Sequence, residues 1–175
     1  MKEADIQKQV VKAVRKLYKG AKVIANPLSE VQMNYDNPRA KNAALSKAKA
    51  MGWQANQPDL LIFIPQNSTN LAIELKTPET NPFRKIRGGG MWIHDSKGQD
   101  AVRVRAQMLY LFELDQNFDF IGILTSVDQV LAACEAAINN YHQPYQPDFE
   151  IVTCSDAYNR TFTVWTHEEN ILAKP

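Results

Sequence analysis

Three charged residues stand where apolar strands would otherwise continue. Asp59 opens the run Asp59-Leu60-Leu61-Ile62-Phe63-Ile64, and Glu74 and Lys76 close the run Leu71-Ala72-Ile73-Glu74-Leu75-Lys76. Strand side chains alternate faces, so Leu71, Ile73 and Leu75 share one face and Ala72, Glu74 and Lys76 the other. Burying a charge is unfavourable unless it is paired or used. If the two runs are neighbouring strands of a hairpin, Asp59 and Glu74 converge on one rim. Paired carboxylates are hard oxygen ligands that suit Mg2+ or Mn2+, ions that keep several waters and share phosphate oxygens with a substrate. Lys76 lies on the same face, about 6–7 Å from Glu74 along the strand. There it can orient or help deprotonate an attacking water, or stabilise a pentacovalent phosphate. Such a set points to phosphodiester hydrolysis, in which the catalyst must supply charge stabilisation at fixed geometry.

The elements that position these residues follow from periodicity. Residues 3–19 predict an amphipathic helix, because Ile6, Val10, Ala13, Val14 and Leu17 recur at helical spacing. Glu3 falls on the same stripe, and two readings stand for it: a carboxylate aimed at the site, or an N-terminal acid favoured by the helix dipole. Residues 22–25 predict a short strand ended by Asn26-Pro27, and residues 28–38 a loop. The Ala- and Lys-rich run 39–51 favours helix, with Gly52 as its cap. Residues 60–64 are apolar on both faces, which predicts a strand buried on both sides. A turn at 65–70 then leads into the strand 71–76. Residues 77–98 show no periodicity and predict a long loop, in which Arg84, Lys85 and Arg87 beside Gly88-Gly89-Gly90 fit a flexible phosphate-binding flap. No Gly-Lys-Ser/Thr follows these glycines, so they do not form a nucleotide P-loop.

Residues 99–117 predict a helix with the stripe Ala101, Val104, Met108, Leu111 and Phe112, and with Gln107 at its edge. A strand at 118–125 follows, then a helix from a Ser126/Gln129 capping box to residue 141. A Pro-containing linker and an antiparallel pair at 149–153 and 161–166 complete the chain. The sum is one mixed α/β domain with a single sheet and helices on its faces.

The net charge of +1 conceals an asymmetry. Residues 8–49 carry ten basic and two acidic side chains (+8), residues 76–105 seven basic and three acidic (+4), and residues 113–175 two basic and ten acidic (−8). A basic front and an acidic back suit a polyanion bound on one side, and ordinary solvated helix faces are the competing reading. The same two readings stand for Lys41, Lys47 and Lys49, as phosphate contacts or as solvated lysines. No apolar run approaches the roughly 20 residues that span a bilayer, and the N-terminus lacks a signal peptide's apolar core. An intracellular, cytoplasmic protein is the expectation, with no membrane partner. Cys134 and Cys154 show no metal spacing and are expected as free thiols.

Pro58-Asp59, a gap, then Glu74-Leu75-Lys76 resembles the signature of the PD-(D/E)XK nuclease superfamily. More of the chain is similar to one branch, the virus-type replication-repair nuclease (VRR-NUC) domain, whose fold resembles that of archaeal Holliday-junction resolvases. The likeness is carried by Glu3-Ala4-Asp5-Ile6-Gln7, by Asn26-Pro27 after the first strand, and by the Lys/Ala helix before Gly52. Pro58-Asp59-Leu60-Leu61-Ile62, Ala72-Ile73-Glu74-Leu75-Lys76-Thr77-Pro78, and a helix bearing Gln107 ahead of Leu111 and Leu114 extend it over residues 3–140. Asn56-Gln57 stand where the family commonly has Gly before Pro-Asp, and Val104 where it commonly has Ser.

The resemblance implies a single nuclease domain over 1–175, with a restriction-endonuclease-like core at 3–140 and a strand extension at 141–175. It implies a Mg2+-dependent DNA endonuclease, with Mn2+ able to substitute, acting on DNA structures in replication, recombination or repair in a bacterium or phage. Asp59 and Glu74 would hold the metal, with the Leu75 backbone carbonyl as a third ligand and Glu3 reaching it directly or through water. Lys76 would be the catalytic lysine and Gln107 would support the site. With DNA as the polyanion, Lys41, Lys47, Lys49, Arg84, Lys85, Arg87, Lys97, Arg103 and Arg105 are the expected backbone contacts. By analogy with resolvases on two-fold junctions, a homodimer is expected.

Other chemistries lack their residues. His94, His142 and His167 are too dispersed for a zinc set, and no His-Glu-x-x-His or Gly-x-Ser-x-Gly occurs. Trp92 could stack on a base or simply pack down. Two readings compete with a nuclease: a DNA-binding module of the same fold without turnover, and a structural α/β protein in which Asp59, Glu74 and Lys76 form a buried ion cluster.

Overall fold

A computed structural model describes residues 2–26, 37–50, 54, 56–81, 83–85, 91–93, 99–139, 149–155 and 161–170. The chain runs through α1 (Glu3–Leu17), β1 (Lys22–Ala25), α2 (Pro38–Ala50), β2 (Leu60–Ile64) and β3 (Thr69–Leu75). It continues through β4 (Phe83–Lys85), β5 (Met91–Ile93), α3 (Gln99–Leu114), β6 (Phe120–Leu124), α4 (Val127–Asn139), β7 (Phe149–Ser155) and β8 (Thr161–His167). A short 3-10 turn at Asp115–Asn117 links α3 to β6, and another at Glu168–Asn170 follows β8.

Six strands form one mixed sheet in the order β1-β2-β3-β6-β8-β7. β1, β2 and β3 pair antiparallel, β6 lies parallel to both β3 and β8, and β7 pairs antiparallel with β8. The alternation read from the sequence decides the two faces. Leu60, Ile62, Ile64, Leu71, Ile73 and Leu75 pack under α1 and α4, against Ile6, Val10, Val14, Val130 and Ala133. Ala72, Ile121 and Ile123 face the opposite way, against Val104, Met108 and Leu111 of α3. β6 is buried along its whole length, and only Gly122 lets β8 approach, because a Cβ there would stand 2.9 Å from the Trp165 carbonyl. The C-terminal strand pair extends this same sheet.

Several expectations need correction. Residues 77–98 are not a featureless loop, for β4 and β5 form an antiparallel hairpin of their own, anchored by the buried Phe83. Three-residue strands are too short to show a period, which is why the sequence hid them. β2 is fully buried on one face only, since Leu61 and Phe63 are half-covered on the α3 side. Phe112 is 37 % exposed rather than part of the α3 stripe. The Ser126 hydroxyl accepts from Gln129 N–H as a capping box requires, but the Gln129 side chain turns instead to Thr125. α2 begins one residue early: Pro38 takes the first helical position, where its missing N–H costs nothing, and Asn37 Oδ1 accepts from Arg39 N–H at 2.9 Å.

The expected Gly52 cap, the glycine run 88–90 with Arg87, Lys97, His94 and His142 lie outside the described residues. So do the side chains of Lys49, Arg84, Lys85, Trp92, Ala101 and Cys154. Cys134 is free and buried. No helix among the described residues is long and apolar enough to cross a membrane.

Candidate active site

The register sets Leu60 opposite Ile73, which brings Asp59 level with Glu74 at the carboxyl end of β3. Asp59 Oδ2 accepts from the Leu75 N–H at 2.8 Å, and so is fixed across the strand gap. The next peptide is held from the other side, where Lys76 N–H donates to the Leu124 carbonyl at 2.9 Å. Neighbouring N–H and C=O groups of a trans peptide point in opposite directions. The Leu75 carbonyl therefore faces away from β6, toward the side where Asp59 lies.

Glu74 and Lys76 are 2 % and 1 % exposed. They form an ion pair, Lys76 Nζ to Glu74 Oε1, at 2.6 Å. Gln107, on the α3 turn that covers this face, donates its amide to the same Glu74 oxygen. Glu74 Oε2 and Gln107 Oε1 are left buried with no hydrogen-bond partner. Such orphan acceptors are uncommon, because each forfeits its hydration. Apolar residues in place of a buried ion pair are commonly neutral or stabilising, by up to about 4 kcal/mol. The fold alone therefore does not call for this pair.

Electrostatics sharpen the point. Burial pushes the Glu74 carboxyl up to about 8, helped by the Asp59 charge and opposed by Lys76. Burial likewise raises Asp59 to about 6, against the pull of Lys76 and the Leu75 N–H, with Glu3 adding to the rise and Arg103 opposing it. Burial disfavours the Lys76 ammonium, yet the carboxylates of Glu74, Asp59 and Glu3 outweigh it and hold its pKa above the ordinary value. Three acids thus act on one buried ammonium, and Arg103 adds a second cation near Asp59.

Glu3 is brought to this rim as its place on the helix stripe predicts: its charge acts on all three residues, and the Thr80 hydroxyl donates to its Oε1 at 3.2 Å. Arg103 is exposed, and close enough to Asp59 to stabilise its charged form. Arg105 is half-buried on the same helix. Lys41 and Lys47 lie on α2, outside the hydrogen-bonded cluster.

Several positioning residues escaped the sequence reading. Gln7 is buried, and its side-chain amide donates to the Asp59 carbonyl at 2.9 Å and, at 3.4 Å, to that of Asn26. Asn26 N–H also donates to the Asp59 carbonyl, at 2.8 Å, and its side chain donates to the Gln57 carbonyl. Helix α1 is thereby bolted to the start of β2, and Asp59 is fixed through its own main chain. Asn56, two residues before Pro58, takes the left-handed conformation, φ 69°. Asparagine tolerates that conformation better than most residues. Gln57 in turn donates to the Tyr110 hydroxyl of α3 at 3.3 Å. Of these, only Gln7 and Asn26 were hinted at by the sequence, in Ile6-Gln7 and Asn26-Pro27.

Beyond Lys76 the chain closes a tight turn: Thr77 N–H donates to Thr80 Oγ1 at 2.9 Å, and Thr80 N–H donates back to Thr77 Oγ1 at 3.2 Å. Asn81 then donates to the Asn170 carbonyl, while its Oδ1 accepts from Phe83 N–H. Asn170 is itself locked in a buried amide pair with Gln129, with Thr125 and Thr166 filling the remaining bonds. The C-terminal strands thus clamp the segment between Lys76 and the β4–β5 hairpin. Asn81→Asp keeps the acceptor for Phe83 but sets an oxygen against the Asn170 carbonyl. Denaturant unfolding is expected to show a loss of about 1–3 kcal/mol, and an unchanged midpoint would deny the clamp any role.

The donor set fits a hard divalent cation: Asp59, Glu74 Oε2, the Leu75 carbonyl and the Gln107 amide oxygen all offer oxygen, and none among the described residues offers sulfur or imidazole. Among the described residues no three His, Cys, Asp or Glu side chains gather as a full metal cage. A Mg2+-type ion that keeps waters does not require one. Comparison with protein families, with curated proteins and with solved structures found no match for this chain.

Proposed function

We propose that the protein is a divalent-metal-dependent nuclease that hydrolyses phosphodiester bonds in DNA, with a restriction-endonuclease-like core of the VRR-NUC type. The observation that carries this reading is the pair of buried, unpartnered oxygens, Glu74 Oε2 and Gln107 Oε1, beside Asp59, where three acids act on one buried ammonium. A bound Mg2+ or Mn2+ would neutralise developing phosphate charge and lower the pKa of the attacking water. Asp59, Glu74 and the Leu75 carbonyl would hold the ion, and Gln107 would complete its surroundings. Glu3 sits at the rim, steadied by Thr80, where an acid can reach the ion or a water.

Lys76 is the group that acts on the reacting phosphate. Its ammonium is held protonated by the carboxylates and fixed at 2.6 Å from Glu74, so it supplies a preorganised positive charge with little reorganisation. With the Glu74 charge shared by a held cation, Lys76 Nζ could then give its proton to the departing oxygen of the cleaved phosphodiester. Arg103 at the mouth of the site suits a backbone phosphate on the incoming strand.

A closed structural cluster is the competing reading, favoured by how completely Glu74 and Lys76 pair. The test is incubation of the protein with plasmid, branched and single-stranded DNA in Mg2+, in Mn2+ and in EDTA. Cleavage in either metal and none in EDTA is expected. Salt-dependent DNA binding with no cleavage of any substrate would leave a binding module, and neither binding nor cleavage would leave the structural cluster.

A further inference from the structure

Helix α1 carries a second feature that the site does not use. Its buried side is made by Ile6, Val10 and Val14. On the opposite side Lys8, Lys12, Arg15 and Lys16 follow at spacings of four, three and one residues, Lys19 stands just past the helix end at Leu17, and all five are exposed. No acid of α1 follows Asp5. Arg15 donates to the Val23 carbonyl at 3.3 Å, which ties β1, with its exposed Lys22, to the end of the row. Among the described residues, Lys12, Lys16, Lys19 and Lys22 have no carboxylate partner.

The middle of this row works against the helix. Lys8–Lys12 and Lys12–Lys16 are like-charge pairs one turn apart and Lys12–Arg15 are three apart, each unfavourable, although Arg15 and Lys16 in the last turn also suit the helix dipole. A helix shaped only for stability would alternate signs on this face. A local choice that opposes the fold points to a function.

We infer that the outer face of α1, from Lys8 to Lys16, and its continuation through Lys19 to Lys22 are a track for the phosphate backbone of nucleic acid, which carries the substrate's flank beyond the cleavage cluster. From Lys8 to Lys16 the row spans about 12 Å along the helix axis, close to the rise of about three to four base pairs. It belongs to the helix whose first turn delivers Glu3 to the cluster, so one polyanion can touch both. Flexible lysines on a regular helix read charge and not sequence, so the track holds any sequence alike. An anionic membrane is the poorer fit, because the apolar side of α1 is consumed by the core and none is left to enter a lipid interface. The identity of the flank as substrate rests on the nuclease reading, while the binding surface itself does not.

The test is binding of a fluorescent 30-base-pair duplex in EDTA over a range of salt, comparing the wild type with Lys12→Gln/Lys16→Gln/Lys19→Gln. Each lost phosphate contact removes about one from the salt slope. The triple variant is expected to bind more than 10-fold more weakly at 0.1 M salt, with the slope reduced by two to three. It should unfold at a temperature close to the wild type's, since the three side chains are exposed and hold no ion pair among the described residues, and that rules out misfolding as the cause. Unchanged affinity and slope overturn the inference, as does binding of acidic protein or anionic vesicles in place of the duplex. Loss of duplex binding in the variant while the wild type shows no cleavage in Mg2+ or Mn2+ sinks the nuclease reading and leaves the track. Full cleavage by the variant with unchanged KM sinks the track and leaves the nuclease.

Discussion

Lys76→Met is expected to lower the Mg2+-dependent cleavage rate on the order of 10³-fold, the scale of losing one preorganised charge at the transition state. Lys76 is 1 % exposed and its ammonium touches only the cluster, so the effect should fall on kcat more than on KM. Methionine keeps an unbranched chain in the buried slot. Glu74 loses its cation, but its pKa is already pushed up to about 8, so near neutrality it can take a proton rather than stand as an uncompensated charge. The variant should therefore fold, with DNA binding retained in EDTA. Equal cleavage rates in wild type and variant, measured on the best substrate of the panel, would sink the assigned chemistry. Lys76→Arg should fail as well: the guanidinium is bulkier, and it does not give up its proton at physiological pH.

Glu74→Gln is the second change with a large expected effect. It keeps shape and removes the carboxylate that offers the unpartnered Oε2. Mn2+ binding by calorimetry at pH 8 should weaken about 100-fold or more, beyond the range seen for loss of an outer-shell partner. A structural cluster predicts no Mn2+ binding by the wild type to begin with, so the two readings separate on this titration.

The same residue governs pH dependence. The folded-state values of Asp59, about 6, and Glu74, about 8, lie above their ordinary values of 3.8 and 4.5. Between those limits the folded protein binds more protons than the unfolded chain, so stability falls as pH rises. Counting these two groups alone, metal-free protein should melt highest at about pH 4 and below, and progressively lower toward pH 8. Mn2+ should reverse the trend, because the cation displaces the protons and binds more tightly as pH rises. Glu74→Gln should flatten the fall between pH 6 and 8 while leaving the earlier part, due to Asp59. A fall of equal size in wild type and variant over that upper window would show that Glu74 does not titrate there.

The sequence by itself determined most of what a local period can carry, with Leu17 and Phe112, both exposed, as the exceptions. Alternation along 71–76 set Glu74 and Lys76 on one face, and the faces are those observed. The helical period put Glu3 on the buried stripe of α1 and Gln107 beside the stripe of α3, and both reach the cluster. The strand pair at 149–155 and 161–167 was legible from composition, but its place beside β6 was not, because nothing local names a strand's neighbour. The hairpin β4–β5 was illegible for want of length.

Only the tertiary structure decided what holds the site in place. Gln7 meets Asp59 across 52 residues, Thr80 meets Glu3 across 77, and Asn81 meets Asn170 across 89. Single polar side chains at those separations leave no periodic trace, since their value depends on which backbone group the fold happens to bury opposite them. The two orphan oxygens belong to the same class. A glutamate and a glutamine can be read from the chain, but that each keeps one buried oxygen without a donor is a property of packing alone.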